Sequence, residues 1–275
     1  MSSMTVLFIS TWCFKVSVIT MKLGIIGCGA IGTDVAKAAD KMKDIEKIYM
    51  FDIKEDASNK LCKILKKAEI KPVKDFLDDV DVVFEAASQG AVEEYAEMVI
   101  EACKDLVIMS VGSLLNKKFK DRIEKVAKEK RCKIYLPSGA VCGIDGILSG
   151  SIDIIDEVTL VTTKSPESLG KSYNKRTIVF KGNAREAVKK FPMNINVAAS
   201  LSLAGIGFDD TKVEIVVDPV ATRISHKILA HGKFGRLRAE VENMPNPKNP
   251  KSSYMASLSA IATLKRIVNP IQIGA

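Results

Sequence analysis

Histidine is scarce in these 275 residues: only His226 and His231 occur, they are not adjacent, and there is a single tryptophan. Six cysteines are present, but none forms a C-x-x-C pair and none has a histidine at ligand spacing. That excludes a zinc or similar metal centre and a disulfide framework. Reduced thiols in a cytoplasmic protein fit this pattern. A long apolar run is also missing. Residues 1–20 hold an apolar patch, but it lacks a basic n-region and a small-residue cleavage site and is too short to span a bilayer. The net charge of +8 does not come from single-sign blocks, because lysines alternate with Asp and Glu, as in DRIEKVAKEKR at 121–131. Such a stretch is a solvated helix face and not a nucleic-acid groove. Neither a membrane nor a nucleic acid is therefore an expected partner, although a mildly positive field favours anionic ligands.

What is present is a chain with 47% hydrophobic residues, long enough for two domains. Its most informative stretch is KLGIIGCGAIG at 22–32, an apolar run that breaks into Gly27, Gly29 and Gly32. A helix-compatible segment follows at 33–41, so the glycines stand in the strand–turn–helix context of the dinucleotide fingerprint. Gly27 permits the tight turn, Gly29 lets a pyrophosphate approach the backbone, and Gly32 lets helix pack on strand. With Ala30 and Ile31 they form the predicted cofactor cradle, the pyrophosphate resting on the helix start. A second strand at 47–51 ends at Asp52, twenty positions after Gly32. A carboxylate there accepts adenosine ribose hydroxyls and repels a 2′-phosphate, which favours NAD, while Lys54 leaves room for NADP.

Further elements follow in order. A helix is predicted at 57–68, with Leu61, Ile64, Leu65 and Ala68 on one face. Buried strands are predicted at 81–86, 106–109 and 133–136, with helices at 92–103 and 119–130 between them. This alternation predicts an α/β fold whose N-terminal half, 21–136, is a Rossmann-type doubly wound parallel sheet. The loops at 87–90, including Ala87 and Ser88, and at 110–113 then face the cofactor. Ser138 is placed to cap a helix that follows it. From residue 152 the pattern becomes that of strands at 157–163, 177–180, 213–217, 223–230 and 237–241. Asn183 and Glu186 form a capping-box pair opening a helix to Lys190, and 194–204 reads as a small-residue helix. The second domain, 137–250, is thus α+β with a mostly antiparallel sheet, an apolar face of which suits a homodimer. MPNPKNP at 244–250 reads as a rigid connector, and 251–275 as a helix returning to the first domain. Since a nucleotide-binding domain starts close to its first strand, Met21 is the natural start. Residues 1–20 are expected to be an extension from an upstream start codon.

In a strand over 223–230, His226 shares the inward, apolar face with Ile224 and Ile228. The pattern alone leaves two readings open: a core histidine bonded to backbone, or a general base facing the cofactor crevice. His231 precedes a glycine and reads as an exposed turn residue.

Four segments resemble the archaeal-type L-aspartate dehydrogenase family. They are GCGAIG at 27–32, PSGAVCGIDG at 137–146, FPMNINVAAS at 191–200, and DPVATRISHKI at 218–228 with FGRLRAEVENMPNPKNPK at 234–251. The resemblance runs from Met21 to the C-terminus. It implies NAD(P)-dependent oxidation of L-aspartate to iminoaspartate, which feeds quinolinate and NAD synthesis or hydrolyses to oxaloacetate and ammonia, or the reverse reductive amination. Carried over by position, His226 matches the family's active-site histidine, and Ala140 and Asn196 match its nicotinamide-side contacts, with Asn194 a neighbouring candidate. The chain departs from the family at Ile224, where Asn is common, and at Lys227, where Glu is common. The two substrate carboxylates need cations, for which Lys164 and then Arg236 are the candidates. The rival readings are a reductase of the homoserine dehydrogenase or dihydrodipicolinate reductase type and a non-catalytic NAD-binding protein.

Overall fold

The computed structural model describes residues 20–169, 172–191 and 196–274, so the expectation for residues 1–19 lies outside what it describes. Its first half alternates strands and helices. β1 (Met21–Ile26), β2 (Ile45–Phe51), β3 (Ala68–Ile70), β4 (Val82–Glu85), β5 (Asp105–Ile108) and β6 (Ile134–Tyr135) form one parallel sheet in the order β3-β2-β1-β4-β5-β6. Between them run α1 (Ala30–Ala39), α2 (Glu55–Cys62), the single turn α3 (Val73–Phe76), α4 (Gln89–Glu101) and α5 (Lys117–Lys130). The strand order reverses between β1 and β4, and that crevice is where an open α/β sheet takes its ligand. β1 and β4 read as unbroken apolar runs because both faces are covered: Leu23, Ile25, Val83 and Phe84 are all fully buried. Burying each such side chain contributes roughly 1.5–3 kcal/mol.

The second half begins with α6 (Ile144–Gly150) and is built on β7 (Ile155–Lys164), β8 (Thr177–Asn183), α7 (Ala184–Lys190), α8 (Asn196–Ala204), β9 (Lys212–Val217), β10 (Ile224–Gly232) and β11 (Gly235–Asn243). The sheet order is β11-β10-β7-β9-β8. β7 and β9 run parallel and the other neighbours antiparallel. Asn183 and Glu186 make the reciprocal capping box that opens α7. A short hairpin, β12 (Pro245–Asn246) and β13 (Asn249–Ser253), leads into α9 (Tyr254–Val268). α9 lies on α1: its Ala260 and Leu264 are fully buried in one core with Val35, Ala36 and Ala39. Asn246 of the hairpin is buried and donates to Asp34 of α1 and Ser257 of α9, both at 3.0 Å. Lys248 pairs with the same Asp34 carboxylate.

Four local expectations are corrected. The helix predicted at 57–68 ends at Cys62, and Ala68 instead opens an edge strand paired with Ile48. The Asp40 carboxylate accepts from the amides of Lys66 and Lys67 at 2.8 and 2.9 Å, drawing the chain out of the helix. Ser138 caps no helix, since α6 begins only after Gly143. The intervening loop is held from outside instead: Gly139 N donates to Ser259 Oγ and Ala140 O accepts from Asn243 Nδ2. The proline-rich connector is part of a paired hairpin, because Pro245 and Pro250 still leave amides that can bond, such as that of Tyr254 to Met244 O. His231 lies within β10 opposite Arg236, exposed and 3.6 Å from Asp156, with the turn beyond it.

Candidate active site

The glycine turn at the end of β1 is shaped by contact distances. Gly27 has φ +98°, and a Cβ there would lie 2.7 Å from Ala86 O. A Cβ on Gly32 would lie 1.9 Å from Gly27 O, so helix and turn touch backbone to backbone. Gly29 is different. It stands at the N-cap of α1 with an ordinary φ of −67°, and a Cβ there would meet no atom within 4 Å. α1 has neither a side-chain cap nor an acidic residue in its first turn. The first-turn amides of α1 have no intrahelical acceptor, and the open space at Gly29 beside them suits an anion, so the turn fits a pyrophosphate.

Asp52 follows the end of β2 and braces this turn. Its carboxylate accepts from Cys28 N at 2.7 Å and from Lys54 N at 2.8 Å. A carboxylate has about four acceptor sites, so capacity for ribose hydroxyls remains. The Cys28 thiol beside it is pushed up to about 12, by burial first and by the Asp52 charge second. It is structural and not a nucleophile. Ser88 caps α4, its Oγ accepting from Ala91 N at 3.2 Å, and Ala87 N donates to Glu85 at 2.8 Å.

A cavity of about 150 Å³ opens between the two halves, the size class that holds a benzene-scale molecule. The first half contributes Ile31 and Met109, the linking loop Pro137, Gly139 and Ala140, and the second half Asn196, Ser200, Ile224 and His226. Ser252, Ser253 and Ala256 close it at the start of α9. Ala140, Asn196 and His226, more than eighty positions apart at their extremes, thus meet at one surface. Asn196 also spans the halves, its Oδ1 accepting from Gly112 N at 3.1 Å.

His226 is 7% exposed on the inward face of β10. Its register partner on β7 is Thr162, and His226 Nδ1 is hydrogen-bonded to Thr162 Oγ1 at 3.0 Å. Burial, then the Lys164 charge, pushes the imidazole down to about 4, so it is neutral at neutral pH. Lys164 lies two residues beyond Thr162 and shares its face. It is 3% exposed and pushed down to about 8 by burial, and among the described residues no carboxylate pairs with it. A buried ammonium without a counter-charge is costly unless an anion arrives.

Arg236, the second cation candidate, is misplaced for this site. It sits on the exposed face of β11 opposite His231, five residues, or about 17 Å, along the strand from Val241, the partner of His226. Strand alternation and register put it there, which a sequence without pairing information does not reveal. Asn194 lies outside the described residues. Two residues of the site had not been anticipated. Thr162 carries a signal only once β7 and β10 are registered. Asn243 is 3% exposed, donates to Ala140 O at 3.1 Å and accepts from Ser253 Oγ at 2.5 Å. Among the described residues no group of three or more His, Cys, Asp or Glu could hold a metal ion, and no helix is long and apolar enough to cross a membrane.

Known proteins resemble this chain across both halves. The family profile described as "Aspartate dehydrogenase, C-terminal" covers residues 145–267. That described as "Homoserine dehydrogenase, NAD binding domain" covers 27–137. The L-aspartate dehydrogenase of Methanosarcina barkeri is 45% identical over 269 residues, covering 92% of this chain and 99% of the relative. That of Methanococcoides burtonii is also 45% identical with the same coverage. The crystal structure of aspartate dehydrogenase from Thermotoga maritima superimposes with a TM-score of 0.76 at 30% identity, covering 92% of this chain and 99% of that one.

Proposed function

The chain belongs to the aspartate dehydrogenase family, and on that premise we propose that it oxidises L-aspartate to iminoaspartate with a nicotinamide dinucleotide. One observation carries the reading: His226, Asn196 and Ala140 line the same cavity as Ile31 of the glycine turn. A bound nicotinamide supplies the hydride acceptor. Lys164 binds one substrate carboxylate, the anion its buried ammonium lacks. His226 Nε2 takes a proton from the substrate ammonium, and the freed nitrogen lone pair forms the C=N bond as the Cα hydrogen leaves as hydride. For Nε2 to accept, the other ring nitrogen must carry the proton and donate to Thr162 Oγ1. Holding the reactants in register supplies much of the acceleration. Ile224 presents an apolar wall beside His226, so on this reading substrate polarity is met by Lys164, which is buried on the same face of the sheet as Thr162 and His226.

Finer features belong to the same proposal. NAD is the preferred cofactor, because the Asp52 carboxylate is anchored by two amides and opposes a 2′-phosphate. The product feeds pyridine nucleotide synthesis, and with oxaloacetate and ammonia the reaction runs in reverse. The protein is a cytoplasmic homodimer that pairs through the outer face of the second sheet, where Val161 and Leu229 lie beside the Lys227–Glu240 pair. Light scattering of the purified protein gives the mass that checks this assembly. The deciding experiment for function measures NAD and NADP reduction with L-aspartate, L-glutamate and homoserine in turn. Aspartate-dependent reduction that fails with homoserine supports the reading. Turnover of homoserine alone, or NADH binding without turnover of any amino acid, overturns it. Replacing Asp52 by Ser should raise KM for NAD and lower KM for NADP.

A further inference from the structure

Glu85 is the only acidic side chain buried among the described residues, at 1% exposure, and nothing in the proton and hydride chemistry uses it. It ends β4 beneath two loops, one after β4 and one after β5. Its Oε1 accepts from Ala87 N and from Ser110 Oγ, both at 2.8 Å, and its Oε2 accepts from Ser110 N at 3.0 Å. Among the described residues no cation pairs with it. Burial raises its pKa, and hydrogen bonds from Ser110, Ala87 and Ser88 oppose that rise.

Burying a lone carboxylate costs several kcal/mol in general, and β4 does not need it for packing, since Val82, Val83 and Phe84 supply the apolar contacts. What the carboxylate provides is geometry. Its two oxygens tie the Ala87 amide in one loop to the amide and hydroxyl of Ser110 in the next, a residue 25 positions after Glu85. The second loop continues through Ser113 Oγ, which donates to Ser110 O at 2.9 Å, to Gly112 N, which donates to Asn196 Oδ1. Asn196 lines the cavity. Hydrogen bonds, linked through the covalent stretch 110–113, therefore join the β4 loop, Glu85, the β5 loop and the second half of the site.

We propose that Glu85 is a positioning residue for the dinucleotide, setting the β4 and β5 loops relative to each other, with Ser110 as its partner. This rests on the cofactor reading above, though not on the identity of the amino-acid substrate. A glutamine at this position keeps the shape but offers one acceptor oxygen, so its amide NH2 must face an N–H donor in one of the two loops.

The test measures NADH affinity by fluorescence titration, KM for NAD, kcat and Tm for the full chain and two variants. Glu85→Gln should weaken NADH binding about tenfold or more and raise KM for NAD more than it lowers kcat. Ser110→Ala, which leaves the backbone bond in place, should weaken NADH binding about threefold. A lower Tm with wild-type NADH affinity in both variants assigns Glu85 a purely structural role and overturns the proposal. Should Glu85→Gln fail to fold, Ser110→Ala decides alone, wild-type affinity counting against. A wild-type protein that binds NADH but turns over no amino acid, with binding lost in Glu85→Gln, would retire the aspartate reading and keep this one.

Discussion

The cavity has two walls, and they are held in place by different physics. The wall from the first half, to which Ile31 and Met109 contribute, rests on backbone: Gly27 has a positive φ, and a Cβ on Gly27 or Gly32 would collide with neighbouring backbone. The wall from the second half is made of side chains, some carried on α8 and some on paired strands. His226 owes its place to a register that sets it opposite Thr162, 64 positions away; Lys164, whose charge acts on His226 though it is not among the residues lining the cavity, lies two residues further along β7. Backbone sterics are local, and at Gly27 and Gly32 they leave no room for a side chain. Cross-strand placement is long-range, and its chemistry is tuned by burial, which keeps His226 neutral and makes the Lys164 charge costly.

The comparison is tested most severely at its two centres. Replacing His226 by Asn removes the base while leaving the cofactor wall intact. Turnover should fall by about 10²–10⁴ with NADH affinity unchanged. A variant that retains wild-type kcat would show that the second wall does not perform the proton transfer. The converse change is Gly29→Ala. Because no protein atom lies within 4 Å of the new methyl, Tm should drop by no more than about 3 °C. NADH affinity should fall about a hundredfold, because the methyl occupies the space assigned to the pyrophosphate. A large loss of Tm with normal affinity would mean that this open space is not the cofactor's.

The same contrast explains what was legible in the sequence. The glycine spacing, the following helix and Asp52 are contiguous or nearly so, and each has a steric or electrostatic reason that can be read without a partner. The capping box at Asn183 and Glu186 is equally local. Alternation also predicted the inward face of His226, since period-two patterning needs no neighbour. Arg236 was misjudged because its position depends on how far β11 slides along β10. The helix read through Ala68 failed for a related reason: its apolar spacing was overridden by Asp40, 26 residues earlier, and by an edge pairing with β2. Thr162, Asn243 and Glu85 look like ordinary strand residues until their partners arrive from distant segments. Resemblance to a family supplied Ala140 and Asn196, which no local pattern would have singled out.

Lys164 sharpens the account of the second wall. Removing its charge while keeping its bulk, as in Lys164→Met, should raise KM for aspartate about thirtyfold and affect KM for NAD little. The pH dependence follows from the two depressed groups. The active free enzyme needs neutral His226, present above about 4, and charged Lys164, present below about 8. The kcat/KM for aspartate should therefore form a plateau between those values and decline above about 8. In Lys164→Met the alkaline decline should disappear along with most of the affinity. An alkaline limb that persists in the variant belongs to another group, such as the substrate ammonium, and would remove Lys164 from the carboxylate site.

The smallest expected effect separates placement from chemistry within that wall. Thr162 contacts His226 through one 3.0 Å bond and lies at 6% exposure. Thr162→Val keeps the branched shape that the strand packs and removes only the hydroxyl. If His226 acts as base at Nε2, its Nδ1–H then loses an acceptor in a buried site, which costs about 1 kcal/mol or somewhat more. The tautomer that exposes the Nε2 lone pair becomes less populated, and kcat should fall about three- to tenfold while KM for aspartate stays within about twofold. Thr162→Ser, which restores an oxygen without the methyl, should recover most of that loss. If instead Thr162 donates to Nδ1, the imidazole presents Nε2–H to the cavity as a hydrogen-bond donor. Valine would then release the ring from the unproductive tautomer, and kcat would hold or rise. The sign of the change in kcat, more than its size, therefore reports which ring nitrogen carries the proton when substrate binds.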